Sequence, residues 1–320
     1  CSEIRFVVGG GSHRPLTADE IALKVGPQVA DRYEVTCHGF LDGDCVGYGN
    51  LPDGMPVYIN RVVAQSECKL CVGGIYPHGA VGFGGGAKLI VPGVAGAATM
   101  WHFHGCHPSR GHAIIEGQDG VLDHRDVAEE AARLIGLDAV VNAVLNDRRE
   151  IAGLFVGDFV QAQRTGARFA LEAYGTEIPE DLQNEADLVV TNCYPLDSDP
   201  IQTGKALWMR KHFDHAYTVA INPATDGLFY HGLFHQIDYG RYLQQRNAEA
   251  PMDFPEPELN GPGHMLLQSE HFSVNEFVKR HPDGALFRDW ETLIARLSEK
   301  LPARASVVVF PFGGLQILKE

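Results

Sequence analysis

Apolar and polar positions follow two rhythms along this chain. Short continuous apolar runs read as buried strands at residues 4–8, 69–72, 139–145, 151–156, 188–191, 214–222 and 306–310. Helical spacing marks residues 126–137, 159–173, 202–211 and 290–301. Thr17 with Glu20 forms a capping-box signature for a helix beginning near Ala18. Residues 57–63 fit a helix or a strand by pattern alone. The alternation of strands and helices in both halves predicts an α/β fold. A change of texture at Pro179 divides the chain into domains at 1–178 and 179–310, with the C-terminal tail expected to rejoin the first. Residues 249–263 are rich in Pro, Glu and Gly and read as loop. No repeat of solenoid period is present.

Composition narrows the function classes. The 320 residues are 45% apolar and 21% charged, which suits globular domains with a sizeable core. The net charge of -15 argues against a nucleic-acid partner, since phosphate binding needs a Lys/Arg surplus. No apolar run has membrane-spanning length. Cys1, Cys37, Cys45, Cys68, Cys71, Cys106 and Cys193 form no regular framework. They fit free thiols in a reducing, cytoplasmic setting. The first residue is Cys rather than Met, so a preceding segment is expected to have been removed or left out.

Thirty-six glycines, many in clusters, point to tight turns and close backbone approach to a ligand. His13 lies on one such loop between a strand and a helix, and His78 lies just past another strand. In open α/β sheets, ligands bind beyond the carboxyl ends of strands. His102, His104, His107 and His112 crowd one stretch. His102 and His104 share a face if that stretch is a strand and not if it is a helix. They could ligate a metal or be solvated loop residues. Cys68 and Cys71 have CxxC spacing, but no second ligand pair stands at a zinc-site distance, so a structural pair is expected. Gly82–Lys88 is glycine-rich but fails the Walker pattern, because Ala87 and Leu89 flank the lysine. Its amides could still cradle a phosphate, and its lysine is open to covalent attachment.

Order and spacing add a further reading. Gly11-Ser12-His13-Arg14-Pro15, Tyr76-Pro77-His78, Lys88 with Val91-Pro92-Gly93 behind it, and His104 sixteen residues after the lysine together resemble the nickel-pincer lactate racemase family. The likeness continues through Asn142–Asn146, Phe155–Asp158, Asn192–Asp197 and Gln202–Lys205, and weakly to Asp226-Gly227. It implies two α/β domains with the active site in the cleft between them. It implies a racemase or epimerase of a 2-hydroxy acid. Lys88 would hold a pyridinium-3-thioamide-5-thiocarboxylic acid mononucleotide carrying nickel, with His104 as the protein's metal ligand. His13 and His78 would be the acid/base pair, and Gln202 and Lys205 would bind substrate. The enzymes that make the cofactor would be transient partners.

The implied chemistry is coherent. A Cα–H bond must be broken and remade on the opposite face. Hydride transfer through a flat keto acid avoids a poorly stabilised carbanion, and two imidazoles on opposite sides manage the hydroxyl proton. The chain departs from the family in two places. The family's Asp-Asp-x-Thr-Arg-Pro motif, whose arginine binds the substrate carboxylate, does not occur here. Arg14 does not replace it, because the family has an arginine beside this histidine as well. Ile201 stands where lactate racemases have a tyrosine, which favours a larger or more apolar substrate than lactate. Rival readings are a Schiff-base lyase on Lys88, a zinc hydrolase using His102 and His104, and a non-catalytic binding homologue.

Overall fold

The computed structural model describes residues 3–41, 44–106, 123–227, 259, 261–281 and 283–318. His107, His112 and most of the expected loop at 249–263 lie outside the described residues. The chain divides into two compact units, Cys1–Ala173 and Tyr174–Glu320. No helix among the described residues is long and apolar enough to cross a membrane.

The first unit is built from small sheets rather than one large one. β1 (Arg5–Val8) pairs in parallel with β2 (Glu34–Cys37), with α1 (Ala18–Val25) and α2 (Pro27–Arg32) between them. The capping box at the start of α1 is present: the Glu20 amide donates to Thr17 Oγ1 at 3.3 Å, and the Thr17 amide donates to Glu20 Oε2 at 2.8 Å. The ambiguous stretch 57–63 resolves into both elements, β4 (Pro56–Asn60) and α3 (Arg61–Gln65), with β3 (Cys45–Asn50) antiparallel to β4. Asn60 is the switch between them, since its side chain caps the amides of Val62 and Val63.

β5 (Leu70–Gly74) lies parallel to β8 (Ala139–Leu145), and β9 (Ile151–Gly157) runs antiparallel to β8. One face of β8 is buried at Val140, Asn142 and Val144, as period-two alternation requires. A two-residue hairpin of β6 (Pro77–His78) and β7 (Gly82–Phe83) leads into a 3₁₀ turn at Gly86–Leu89. Two helices then frame the glycine loop's surroundings, α4 (Ala97–Cys106) and α5 (His124–Leu134). The expected helix at 126–137 thus starts earlier, because Asp123 caps it by accepting from the amides of Arg125 and Asp126. α6 (Phe159–Tyr174) follows β9.

The second unit holds a five-stranded parallel sheet, ordered β14-β13-β12-β11-β15. These are β11 (Leu188–Asn192), β12 (Tyr217–Ile221), β13 (Met265–Gln268), β14 (Ala285–Phe287) and β15 (Val307–Phe310). Both faces are covered, as parallel sheets require. Leu188, Val190, Val219 and Leu266 pack on one side with Leu293 and Leu297 of α10 (Trp290–Ser298). Val189 packs on the other side with Met209, Phe213 and Phe310. Ala220, Met265 and Leu267 face Phe272 and Phe277, the latter in α9 (Val274–Arg280).

β10 (Gly175–Thr176) pairs with the C-terminal β16 (Ile317–Leu318), and α7 (Glu180–Glu185) follows β10. The tail therefore joins a strand that lies before residue 178 in sequence, and the contacts assign that strand to the second unit. The expected helix at 202–211 is broken into a 3₁₀ turn at Pro200–Gln202, α8 (Thr203–Ala206) and a second 3₁₀ turn at Leu207–His212. Gly204 weakens helix propensity there. Thr203 is held by its hydroxyl, which accepts from Asn222 Nδ2 at 2.8 Å.

Candidate functional site

The loops that carry His13 and Lys88 are joined by main-chain hydrogen bonds. The Gly11 amide donates to the Gly93 carbonyl at 2.9 Å, and the Gly93 amide donates to the Lys88 carbonyl at 3.2 Å. Gly9 also lies against Gly93, where an added Cβ would stand 3.0 Å from its carbonyl oxygen. The His13 loop is thus seated on the turn that follows Lys88. Its other side is pinned by Arg14, whose guanidinium forks onto Glu20 at 2.7 and 2.6 Å. That fork, with the Thr17 amide, lowers the Glu20 carboxyl to about 2. His13 itself is exposed.

His78 sits in the hairpin opposite Gly82. Its Nδ1 accepts from the amides of Ala80 at 3.2 Å and Val81 at 3.4 Å. A neutral ring held this way carries its proton on Nε2. The hairpin continues into the lysine loop, where the Gly84 amide donates to the Tyr76 carbonyl at 2.8 Å.

The loop needs its glycines for space as well as for conformation. Gly85 and Gly86 have φ of +73° and +60°. A Cβ on Gly85 would stand 2.7 Å from Ile75 Cγ1, and one on Gly86 would stand 2.8 Å from Gln163 Cβ. The Gly86 amide donates to Asn142 Oδ1 at 3.0 Å. Lys88, half-buried, is in the 3₁₀ turn that ends the loop.

His104 lies in α4, so His102 and His104, two positions apart, face different sides of a helix. His102 Nε2 stands 4.0 Å from Asp53 Oδ2. Among the described residues no three His, Cys, Asp or Glu side chains group to hold a metal ion. A site shared by His102 and His104 therefore has no geometric support. Of the two, His104 has a ring orientation compatible with metal ligation. Its Nδ1 lies 3.0 Å from the Met100 carbonyl oxygen. A carbonyl only accepts, so Nδ1 carries the proton and the lone pair is on Nε2. Metal-bound histidines are oriented in this way. These residues fit a lysine-tethered nickel nucleotide: an accessible lysine after a glycine cradle, and one histidine with its outer nitrogen basic.

The residue that sequence reasoning missed is Arg125. Its side chain is 1% exposed. Its guanidinium donates to the carbonyls of Gly85 at 3.0 Å and Val81 at 3.3 Å, and also to that of Phe83. Burial pulls it down to about 10, with Glu129 opposing the fall and Arg164 adding to it. It stays charged at neutral pH. Nothing in the local sequence marks it, because its partners are backbone oxygens about forty positions away.

In the second unit, Gln202 and Lys205 follow the carboxyl end of β11. Asp199 caps the turn by accepting from the Ile201 amide at 2.8 Å. Asn222, at the carboxyl end of β12, donates to the Asp199 carbonyl at 3.1 Å. Lys205 is only half-buried by surface, yet protein atoms crowd its ammonium, and desolvation lowers it to about 8 against an opposing pull from Asp199. Gly313 and Gly314, just past β15, lie against Thr191 and Cys193. The strand order reverses between β11 and β15, which is where ligands bind in such sheets. Cys193 is buried and its thiol is pushed up to about 12. Cys71 is likewise raised to about 12 by burial, which suits an inert member of the Cys68/Cys71 pair.

Comparison with known proteins finds likeness to lactate racemases over part of the chain. Residues 1–113 match the model of the lactate racemase N-terminal domain. The chain is 27% identical over 269 residues to a lactate racemase of Lactiplantibacillus plantarum, covering 82% of this chain and 60% of that protein. It is 27% identical over 213 residues to a lactate racemase of Thermoanaerobacterium thermosaccharolyticum, covering 64% of this chain and 48% of that one. The chain therefore spans about half to three-fifths of the length of these curated relatives. Its fold matches the lactate racemase apoprotein of T. thermosaccharolyticum with a TM-score of 0.69 at 20% identity, over 99% of this chain and 79% of that one. It also matches a Thermotoga maritima protein with a TM-score of 0.62 at 17% identity, over 99% of this chain and 86% of that one.

Proposed function

From the match of residues 1–113 to the lactate racemase N-terminal domain, we propose that the chain is an isomerase, a racemase or epimerase of a small 2-hydroxy acid, that uses a nickel-pincer nucleotide tethered to Lys88. The observation that carries this reading is the hydrogen bond from His104 Nδ1 to the Met100 carbonyl, which commits Nε2 to be the basic nitrogen. When bound, the cofactor supplies the hydride acceptor and the nickel.

The chain's own residues do the rest. Lys88 is the tether, presented by the glycine loop. His104 is the nickel ligand. His13 and His78 handle the proton of the substrate hydroxyl from opposite sides, a task suited to imidazole. With its Nδ1 lone pair taken by the Ala80 and Val81 amides, the neutral His78 ring is set to donate from Nε2; to accept a proton at Nε2 it must first shift its own proton to Nδ1 and give up those two contacts. Lys205 draws in the carboxylate as a point charge, and Gln202 hydrogen-bonds the substrate. Ile201 removes a hydroxyl from the substrate pocket, which favours an acid with a larger or more apolar side chain than lactate. Cys37, Cys45, Cys68, Cys71 and Cys193 are free thiols, which suits work in the cytoplasm.

The test uses protein produced together with the cofactor-making enzymes. Single enantiomers of aliphatic 2-hydroxy acids labelled with deuterium at Cα are incubated with it and resolved by chiral chromatography. The proposal expects interconversion with the deuterium retained, as internal hydride transfer requires. Interconversion with the label lost to water would contradict the hydride route, and no interconversion of any such acid by loaded protein would contradict the activity.

A further inference from the structure

We propose that Arg125 is a positioning residue for Lys88, acting as a carbonyl clamp on the glycine loop. A phosphate-binding loop turns its amides toward an anion. This loop has the opposite device beneath it: one buried cation gathers the carbonyls of Val81, Phe83 and Gly85.

The odd-numbered carbonyls are taken by Arg125. The even-numbered residues are satisfied elsewhere. The Gly84 amide donates to the Tyr76 carbonyl, the Gly86 amide donates to Asn142 Oδ1, and the Gly84 carbonyl accepts from Gln163 Nε2 at 3.3 Å. The loop is thus held from both sides by groups fixed on α5, α6 and β8. The coupling to Lys88 is direct. The Gly85 carbonyl accepts both from Arg125 Nη1 at 3.0 Å and from the Lys88 amide at 3.3 Å. The 3₁₀ turn that presents the lysine therefore starts on an oxygen that Arg125 fixes.

Burial of a guanidinium is costly unless it is paired and hydrogen-bonded. Here Glu129, Asp123 and Asp126 offset the charge, and Arg164, ion-paired with Glu129 at 2.8 Å, opposes it. Arginine suits this place because its planar fan of donors reaches several carbonyls at once. Lysine carries the same charge but cannot reproduce the fan.

The inference rests on the reading of Lys88 as the attachment point, but its test separates the two. Amide hydrogen exchange is measured on the apoprotein, which needs no cofactor. In the wild type, the amides of Gly84, Gly86 and Lys88 are expected to exchange as slowly as those of β8. Fast local exchange there contradicts the clamp even if every variant fails to fold. In Arg125→Lys, those amides should exchange at least about tenfold faster while β8 stays protected, the scale of one lost buried hydrogen bond. Acylation of Lys88 by an amine-selective reagent, followed across pH by peptide mass, should change in the same variant. Loading of Lys88 during co-production with the cofactor-making enzymes should fall about tenfold. Unchanged exchange, acylation and loading in Arg125→Lys overturn the inference. Loss of protection in a protein whose wild type is never modified would instead leave the clamp standing and remove the cofactor reading.

Discussion

The amide of Gly11 donates to the carbonyl of Gly93 at 2.9 Å, so the loop bearing His13 rests on the turn that closes behind Lys88. The same turn is locked by the Gly93 amide on the Lys88 carbonyl at 3.2 Å. A candidate proton carrier and a candidate tether, far apart in sequence, are therefore related through main-chain bonds.

Gly93 should be intolerant of any side chain. A Cβ there would overlap the Leu89 carbonyl oxygen and stand 2.7 Å from its carbon, and neither is free to retreat. Gly93→Ala is expected to lose about 1–3 kcal/mol or more of stability in urea denaturation. Gly105→Ala, where nothing lies within 4 Å on α4, should be neutral or gain up to about 1 kcal/mol. Equal effects at the two positions would count against the close approach.

His104 and Lys88 should separate in their losses. In protein produced with the cofactor-making enzymes, His104→Ala is expected to keep the adduct on Lys88 and to lose most of its nickel by elemental analysis. Full nickel retention would show that the ligand is some other group.

His13→Ala and His78→Ala should do the reverse. Both are expected to keep adduct and nickel while kcat falls about 10²- to 10⁴-fold, the usual worth of a general acid or base. A variant whose KM alone changes would place that histidine in binding rather than proton transfer.

Lys205 gives a pH prediction with a definite sign. Desolvation lowers it from 10.5 to about 8, so its charge is present below pH 8 and fades above. KM for an anionic 2-hydroxy acid should be flat below pH 8 and rise about tenfold per unit above it. Lys205→Arg, which stays charged, should remove that rise. The same shift means that the buried charge costs stability in full below pH 8, and the cost disappears as pH climbs toward 10.5. A KM independent of pH from 7 to about 10 in the unaltered protein would contradict the carboxylate role.

Much of the fold was legible where a local rule acts alone. Thr17 and Glu20 announce the start of α1 because a capping box needs only neighbours. The apolar runs at 139–145 and 151–156 are readable as strands, and the second extends one residue further to Gly157. Residues 57–63 were ambiguous because two elements meet inside them, and a single Asn60 side chain decides where one ends. The break in the expected helix after Gln202 depends on Asn222 reaching back to Thr203 and Asp199, which no window of sequence contains. The small strands β13 and β14 passed unnoticed because three or four residues carry little periodicity.

The candidate site divides in the same way. Residue types and spacing singled out His13, His78, Lys88 and His104, and the helical setting of α4 then distinguished His104 from His102. Arg125 was invisible because it works through carbonyls that every residue has.

Intact-mass measurement with peptide mapping of protein produced alongside the cofactor-making enzymes tests the central claim most directly. The account predicts a nucleotide-sized adduct on Lys88 with about one nickel per chain, as a single tethered cofactor requires. An unmodified Lys88 under conditions that load a known lactate racemase would contradict it.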